Sequence, residues 1–78
     1  MNLMFLRADN TIENIAKNVK EEEVSSLIKT FITKKNPNFK SYYIRKWCSN
    51  GTWYCDVGSH TEFFLLTDKE MRDGEKWK

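Results

Sequence analysis

The hydrophobic period of the chain changes on either side of Pro37, and this change limits the fold more than any other feature. Before Pro37, apolar residues recur every three or four positions, as on one face of a helix; they are Val24, Leu27, Ile28, Phe31 and Ile32. After it, the segments SYYIRKWC, TWYCDV and TEFFLLT are rich in aromatic and β-branched residues, which is typical of strands. The chain is therefore expected to combine helix with antiparallel sheet.

The region before Pro37 predicts one or two helices within about residues 10–34. A short helix is indicated over residues 10–20, where four apolar residues have helical spacing and Asn10 and Glu13 have the spacing of a capping box. A second helix is predicted from Glu21 to Lys34, with acidic residues in its first turn and lysines at its end. This charge distribution matches the helix dipole.

The region after Pro37 predicts a three-stranded antiparallel meander over about residues 41–67. The dipeptides NG at 50–51 and GS at 58–59 favour two-residue hairpin turns. With NG as the loop, the cross-strand pairs are Ser49 with Thr52, Cys48 with Trp53, Trp47 with Tyr54 and Arg45 with Asp56. One face then carries Ile44, Lys46, Cys48, Trp53, Cys55 and Val57. That face is predicted to be the core.

Together these patterns predict an α+β fold, with one or two N-terminal helices packed on the meander in a single domain of residues 1–78. The tail, residues 68–78, is predicted to form a short helix, because Thr67 and Glu70 have capping-box spacing. The run FFLL is apolar on both faces of its strand, so both faces must be covered. The alternatives for that cover are the segment NLMFL as a fourth strand, the first helix, or a second copy of the chain in a homodimer. For the homodimer, the self-association residues would be Phe63, Phe64, Leu65 and Leu66.

Size, cysteine use and hydropathy narrow the class of protein. At 78 residues the chain can bury only a small core, and dimerisation would help to stabilise it. The apolar start MNLMFL is too short for a signal peptide, and no segment is long enough to span a membrane. Two cysteines without an export signal favour a reducing, cytoplasmic location. The hairpin register places Cys48 and Cys55 diagonally, which favours two free thiols over a disulfide.

The sequence favours a non-enzymatic protein without a metal or cofactor. His60 is the only histidine, and it follows a turn dipeptide rather than a recognisable catalytic motif. A zinc site needs four ligands, and beyond the two thiols the chain offers only His60 and carboxylates. His60 is therefore interpreted as a turn residue.

The most suggestive functional pattern is an interleaving of aromatic and basic residues between positions 40 and 54. The face opposite the predicted core carries the candidate partner-binding residues, Tyr43, Arg45, Trp47 and Tyr54. Trp, Tyr and Arg dominate protein interfaces, so a protein partner is the favoured hypothesis. Binding of nucleic acid or a nucleotide is the alternative, with phosphate contacts from Lys34, Lys35, Lys40, Arg45 and Lys46. A self-associating structural subunit is the second alternative, and ordinary core packing of the aromatic residues would need none of these.

In general character the chain resembles small proteins of phages and mobile elements of Gram-positive bacteria. It is rich in Lys, Asn and Glu and has the aromatic strand region SYYIRKWCSNGTWYCDVGSHTEFFLL. The resemblance implies a stoichiometric inhibitor, anti-CRISPR-like or otherwise directed at host defence, that contacts a host protein complex in the host cytoplasm. The net charge of +2 departs from the acidic character of inhibitors that mimic nucleic acid.

Overall fold

The computed structural model describes residues 1–38, 45–57 and 62–77. These residues form five strands and a helix: β1 (Asn2–Leu6), β2 (Ile12–Ala16), α1 (Glu21–Lys35), β3 (Arg45–Ser49), β4 (Thr52–Asp56) and β5 (Phe63–Thr67). The strands make one antiparallel sheet in the order β2-β1-β5-β4-β3. The described fold is thus mostly β. The predicted α+β fold, a three-stranded meander with one or two helices and a helical tail, is wrong.

Helix α1 lies where its apolar spacing predicted it. Its first turn is acidic and its last turn is basic, which suits the helix dipole. A carboxylate oxygen of Glu23 accepts a hydrogen bond of 2.9 Å from the backbone N–H of Lys20, the N-cap residue just before the helix. At the other end, the backbone N–H of Asn36 donates to the carbonyl of Ile32 at 2.8 Å, and the helix stops before Pro37.

The hairpin formed by β3 and β4 confirms the predicted register. Arg45 pairs with Asp56, Trp47 with Tyr54, Cys48 with Trp53, and Ser49 with Thr52. Asn50 and Gly51 both have positive φ, at 52° and 79°, as a type I′ turn requires. The second predicted turn, at Gly58 and Ser59, lies outside the described residues.

The short helix predicted over residues 10–20 is wrong, because this segment contains strand β2. Its register against β1 shifts between Leu3 and Met4, so that Leu3 pairs with Ala16 while Met4 pairs with Asn14. Ile15 is therefore the extra residue of a β-bulge, and the bulge lets two adjacent residues pack towards the same face. An apolar spacing of three and four residues thus arises in a strand. Asn10 does not cap a helix; it has a φ of 71° in the turn before β2.

The helical tail predicted after Thr67 is also wrong. Residues 68–77, here called the tail, run in irregular and extended conformation along the outer edge of β2. The N–H of Ile12 donates to the carbonyl of Glu75 at 2.9 Å, and the N–H of Gly74 donates back to the carbonyl of Ile12 at 2.7 Å. The N–H of Trp77 donates to the carbonyl of Asn10 at 2.9 Å. The tail backbone satisfies groups that an edge strand would leave open, and a helix could not do this.

The sheet has an apolar layer on each side. On one side, the helix face, α1 covers buried residues of the central strands; this layer contains Leu3, Phe5, Val19, Val24, Ile28, Cys55, Val57, Phe64 and Leu66. On the other side, the tail face, Trp77 covers a smaller layer that contains Met4, Leu6, Ile12 and Leu65. Trp77 is only 7% exposed. Trp77 therefore packs firmly against this layer, and the partly buried Met71 of the tail packs beside it.

The FFLL segment is covered on both faces by the same chain. It forms most of β5, between β1 and β4, and β1 is the NLMFL segment that was one of the three alternatives. Phe64 and Leu66 pack under the helix, and Leu65 packs under the tail. Of the predicted self-association residues, Phe64, Leu65 and Leu66 are buried within the chain, and Phe63 is partly exposed. The apolar run is thus accounted for without a second copy.

Candidate functional site

In the β3–β4 hairpin, β3 lies beyond both covering layers of the sheet, whereas β4 is partly covered. All five residues of β3 are exposed, in contrast to the largely buried strands β1 and β5. Trp47 and Trp53 are 36% and 42% exposed, and their positions in the register put them on opposite faces of the hairpin. Burying exposed tryptophan on binding is strongly favourable, so this hairpin is the candidate functional site.

On the tail face of the hairpin, three aromatic rings pack against one another. The rings of Trp47 and Tyr54 stack with their centroids 5.6 Å apart and their planes 5° from parallel. The ring of Phe63, on β5, meets Trp47 edge-on at 5.7 Å and 85°. Both arrangements are preferred by aromatic quadrupoles. They hold the indole of Trp47 in one orientation although it is exposed.

Arg45 adds a positive charge to this aromatic cluster. Its guanidinium carbon lies 5.6 Å from the centroid of the Trp47 ring, within the range of a cation–π contact. One guanidinium nitrogen is 3.2 Å from a carboxylate oxygen of Asp56, across the strand pair. The Arg45 side chain is 61% exposed while that of Asp56 is 10% exposed. The carboxylate thus orients a guanidinium that still has donors facing solvent. We call Arg45, Trp47, Tyr54 and Phe63 the hairpin patch.

The structure brings together three of the four residues predicted to bind a partner. Arg45, Trp47 and Tyr54 lie on one face and contact one another as described, while Tyr43 lies outside the described residues. The sequence did not place Phe63 in this set, because it assigned the whole FFLL run to self-association. The signal for it was available, since alternation along β5 puts Phe63 on the same face as Leu65 and Tyr54.

The helix face of the hairpin was predicted to belong to the core, and this prediction is only partly right. Cys55 and Val57 are buried there, but Cys48 and Trp53 are exposed. Trp53 instead lines a cleft of about 260 Å³, together with Lys46, Met1 and residues of β5 and the start of α1. The predicted core face thus ends at β4.

The basic residues predicted to contact phosphate do not share one face. Lys35 lies 3.5 Å from the carboxylate of Glu13 on β2, at one edge of the sheet. Arg45 and Lys46 are on β3 at the other edge, four strand spacings or about 19 Å away. Adjacent in the strand, those two side chains also point to opposite faces. Lys34 is in the last turn of α1, and Lys40 lies outside the described residues.

The two cysteines have different environments. Cys48 and Cys55 are both free thiols, the first exposed and the second buried. Each pairs with another residue across the hairpin, as the predicted register required. Burial raises the pKa of the Cys55 thiol, and nearby Lys46 partly opposes this rise. Cys48 is therefore the accessible thiol of the two for reaction in the folded protein.

The side chains needed for a metal site are not brought together in the part of the chain that is described. Within residues 1–38, 45–57 and 62–77, no three Cys, His, Asp or Glu side chains are close enough to hold a metal ion. His60 lies outside those ranges, so its predicted role in a turn stays a prediction. In the same ranges, no helix has the length and apolar character needed to cross a membrane.

The fold and site define a small, mostly β domain with an exposed aromatic hairpin. Comparisons with protein-family models, curated proteins and solved structures find no match. They do not bear on the resemblance to phage proteins and anti-CRISPR-like inhibitors, which stays a prediction. The function has to be argued from the hairpin itself.

Proposed function

We propose that this chain is a non-enzymatic binding domain that holds a protein partner through the hairpin patch. The observation that carries the proposal is the exposed indole of Trp47, stacked on Tyr54 and lying beside an oriented Arg45. Tryptophan, tyrosine and arginine are the residues most enriched among those that dominate interface energetics.

The packing of the patch reduces the entropy that binding would cost. A tryptophan that moves freely loses rotamer freedom when a partner immobilises it. Here Tyr54 and Phe63 already contact the ring at centroid distances of 5.6 and 5.7 Å. More of the energy gained by burying Trp47 is therefore available for affinity.

A protein partner is favoured over nucleic acid by the surroundings of Trp47. Base stacking needs an open ring face, and the parallel ring of Tyr54 already occupies one face of the indole. Phosphate binding needs several cations along one path, whereas the described lysines and arginines of the predicted set lie on opposite edges and faces of the sheet. Arg45 also has a carboxylate partner in Asp56.

Trp47→Ala is expected to weaken partner binding by about 2 kcal/mol, roughly 30-fold, because it removes the central ring of the patch. Trp53→Ala is the matched control, because it makes the same change at a similarly exposed tryptophan on the opposite face of the hairpin. The immobilised wild-type protein and both variants would be used to capture proteins from a lysate. Calorimetry would then give the affinity of each captured protein for the three forms.

The proposal requires a captured protein that binds the wild type and Trp53→Ala alike and is lost with Trp47→Ala. Equal binding by all three forms would rule out the hairpin patch as the contact. Size-exclusion chromatography would test the nucleic-acid alternative. A complex with RNA or single-stranded DNA that dissociates when salt is added would favour it.

A further inference from the structure

The outer edge of β3 is the one sheet edge that the described residues leave open. The opposite edge, at β2, is covered by the tail through backbone hydrogen bonds of 2.7 to 2.9 Å. Strand β3 is last in the strand order, and its five residues are exposed. An open edge presents unpaired N–H and C=O groups that can pair with another strand.

The hairpin geometry identifies which backbone groups face outward. In a hairpin with a two-residue loop, the residues flanking the loop exchange hydrogen bonds, and hydrogen-bonded pairs then alternate along the strands. Ser49, Trp47 and Arg45 are therefore bonded inward to β4, given the observed register. Lys46 and Cys48 direct their N–H and C=O groups away from the sheet.

The side chains of this edge are positively charged and apolar. Strand β3 reads RKWCS, with two cations and no acidic residue. A strand added beside it would meet Trp47 and Arg45 on the tail face and Lys46 and Cys48 on the helix face. Two copies of this strand placed side by side would put four cations on one strand pair with no acidic residue in either strand. Lysine on an edge strand is a known device against such pairing.

We infer that the β3 edge binds an extended acidic segment of a protein partner, which adds to the sheet as a sixth strand. Its backbone pairs with Lys46 and Cys48, its acidic side chains face Lys46 and Arg45, and an apolar side chain packs on Trp47. This inference rests on the proposed function, since it gives the hairpin patch a partner of stated chemistry.

The exposed thiol of Cys48 gives a direct test. The probe is a blocked peptide, acetyl-TCVEET-amide, whose cysteine would oppose Cys48 in an antiparallel pairing. Its valine would then oppose Trp47, and its two glutamates would oppose Lys46 and Arg45 in turn. The peptide and the whole protein are equilibrated in a buffer of oxidised and reduced glutathione, in which one oxidised glutathione is reduced to two thiols for each disulfide formed between Cys48 and the peptide. The equilibrium fraction of this mixed disulfide reports how well the peptide binds beside the thiol.

Two peptides serve as matched controls. In acetyl-TCVKKT-amide the charges are reversed. In the second, the acidic peptide is N-methylated at the glutamate opposite Lys46, which removes one backbone donor and leaves the charge unchanged. We expect the equilibrium constant for the mixed disulfide to be about tenfold larger with the acidic peptide than with each control. The charge-reversed peptide loses two ion pairs. The N-methylated peptide loses a backbone hydrogen bond, and its methyl group prevents close approach to β3. The backbone amide of Lys46 should also become protected from hydrogen exchange only with the acidic peptide.

Equal disulfide fractions for the acidic and N-methylated peptides would overturn the inference, because the preference would then be charge attraction without strand pairing. Protection of Lys46 in the protein alone that increases with protein concentration would overturn it too, since a second copy would occupy the edge. If Trp47→Ala loses the captured partner but the acidic peptide has no advantage, the proposed function stands and the inference fails. If the peptide pairs as expected but Trp47→Ala retains the partner, the β3 edge can add an acidic strand, but the hairpin patch is not the contact with the partner, and the proposed function fails.

Discussion

Trp77→Ala is expected to lower the free energy of unfolding by about 3–5 kcal/mol, as for other buried aromatic residues. Trp77 is 7% exposed and packs on Ile12 and Leu65, both of which are fully buried on the tail face. The ammonium of Lys69 lies 4.8 Å from the centroid of the Trp77 ring and adds a cation–π contact. A domain of this size has a total stability of roughly 4–12 kcal/mol, so the loss is a large fraction of it.

Urea denaturation followed by far-ultraviolet circular dichroism would measure this loss. Trp53→Ala provides the control, because it removes the same side chain from a position that is 42% exposed. We expect the control to cost less than about 1 kcal/mol. Similar losses for the two variants would mean that the tail does not cover the sheet as described.

Phe64→Ala is expected to cost about 3–5 kcal/mol, because it opens a cavity on the helix face. Phe64 is 2% exposed, and its ring centroid lies 5.2 Å from that of Phe5 and 5.7 Å from that of Phe31. These contacts join β5 to β1 and to α1 within one chain. The loss should therefore be the same at low and high protein concentration.

Phe63→Ala is the matched control for Phe64→Ala, since the two residues are adjacent and face opposite sides of β5. Phe63 is only partly buried, and we expect its loss to cost less than half as much while loosening the ring of Trp47. Chemical denaturation of both variants and the wild type, at two protein concentrations, gives the loss in free energy of unfolding for each variant. A loss for Phe64→Ala that grows with concentration would restore the hypothesis that this strand is buried between two copies.

The hairpin and the helix could be predicted because their determinants are local. The turn at Asn50 and Gly51 needs two positive φ angles, and few other dipeptides adopt them so readily. The helix has apolar residues at helical spacing, acids at its start and Pro37 just beyond its end. Such features need no knowledge of the rest of the chain.

Strand β2 and the tail could not be predicted from local pattern because their conformations depend on distant partners. The bulge at Ile15 gives β2 an apolar spacing that imitates a helix, and only pairing with β1 distinguishes the two. In the tail, the apolar residues Met71 and Trp77 are too far apart to define a helical or strand-like spacing. Its extended course is fixed by hydrogen bonds to residues about sixty positions earlier, such as that from Asn14 to the carbonyl of Met71 at 2.7 Å.

The candidate site could be predicted where it depends on local pattern and not where it depends on distant partners. Alternation along the hairpin placed Arg45, Trp47 and Tyr54 on one face, and the structure agrees. The exposure of Trp53 depends on how the start of α1 packs relative to the hairpin, which is a property of the tertiary structure. The division of the basic residues between two edges depends on the strand order, and the predicted meander lacked β2 and had β1 only as one of three alternatives.

Hydrogen exchange of individual backbone amides, followed by NMR on the full chain, tests the central claim most directly. That claim is that the tail closes the β2 edge and leaves the β3 edge open for a partner. It predicts slow exchange at Ile12 and Trp77, whose N–H groups bond between the tail and the segment at β2, and fast exchange at Lys46 and Cys48. Fast exchange at Ile12 and Trp77 together with slow exchange at Lys46 and Cys48 would contradict the account, because the β2 edge would then be open and the β3 edge covered.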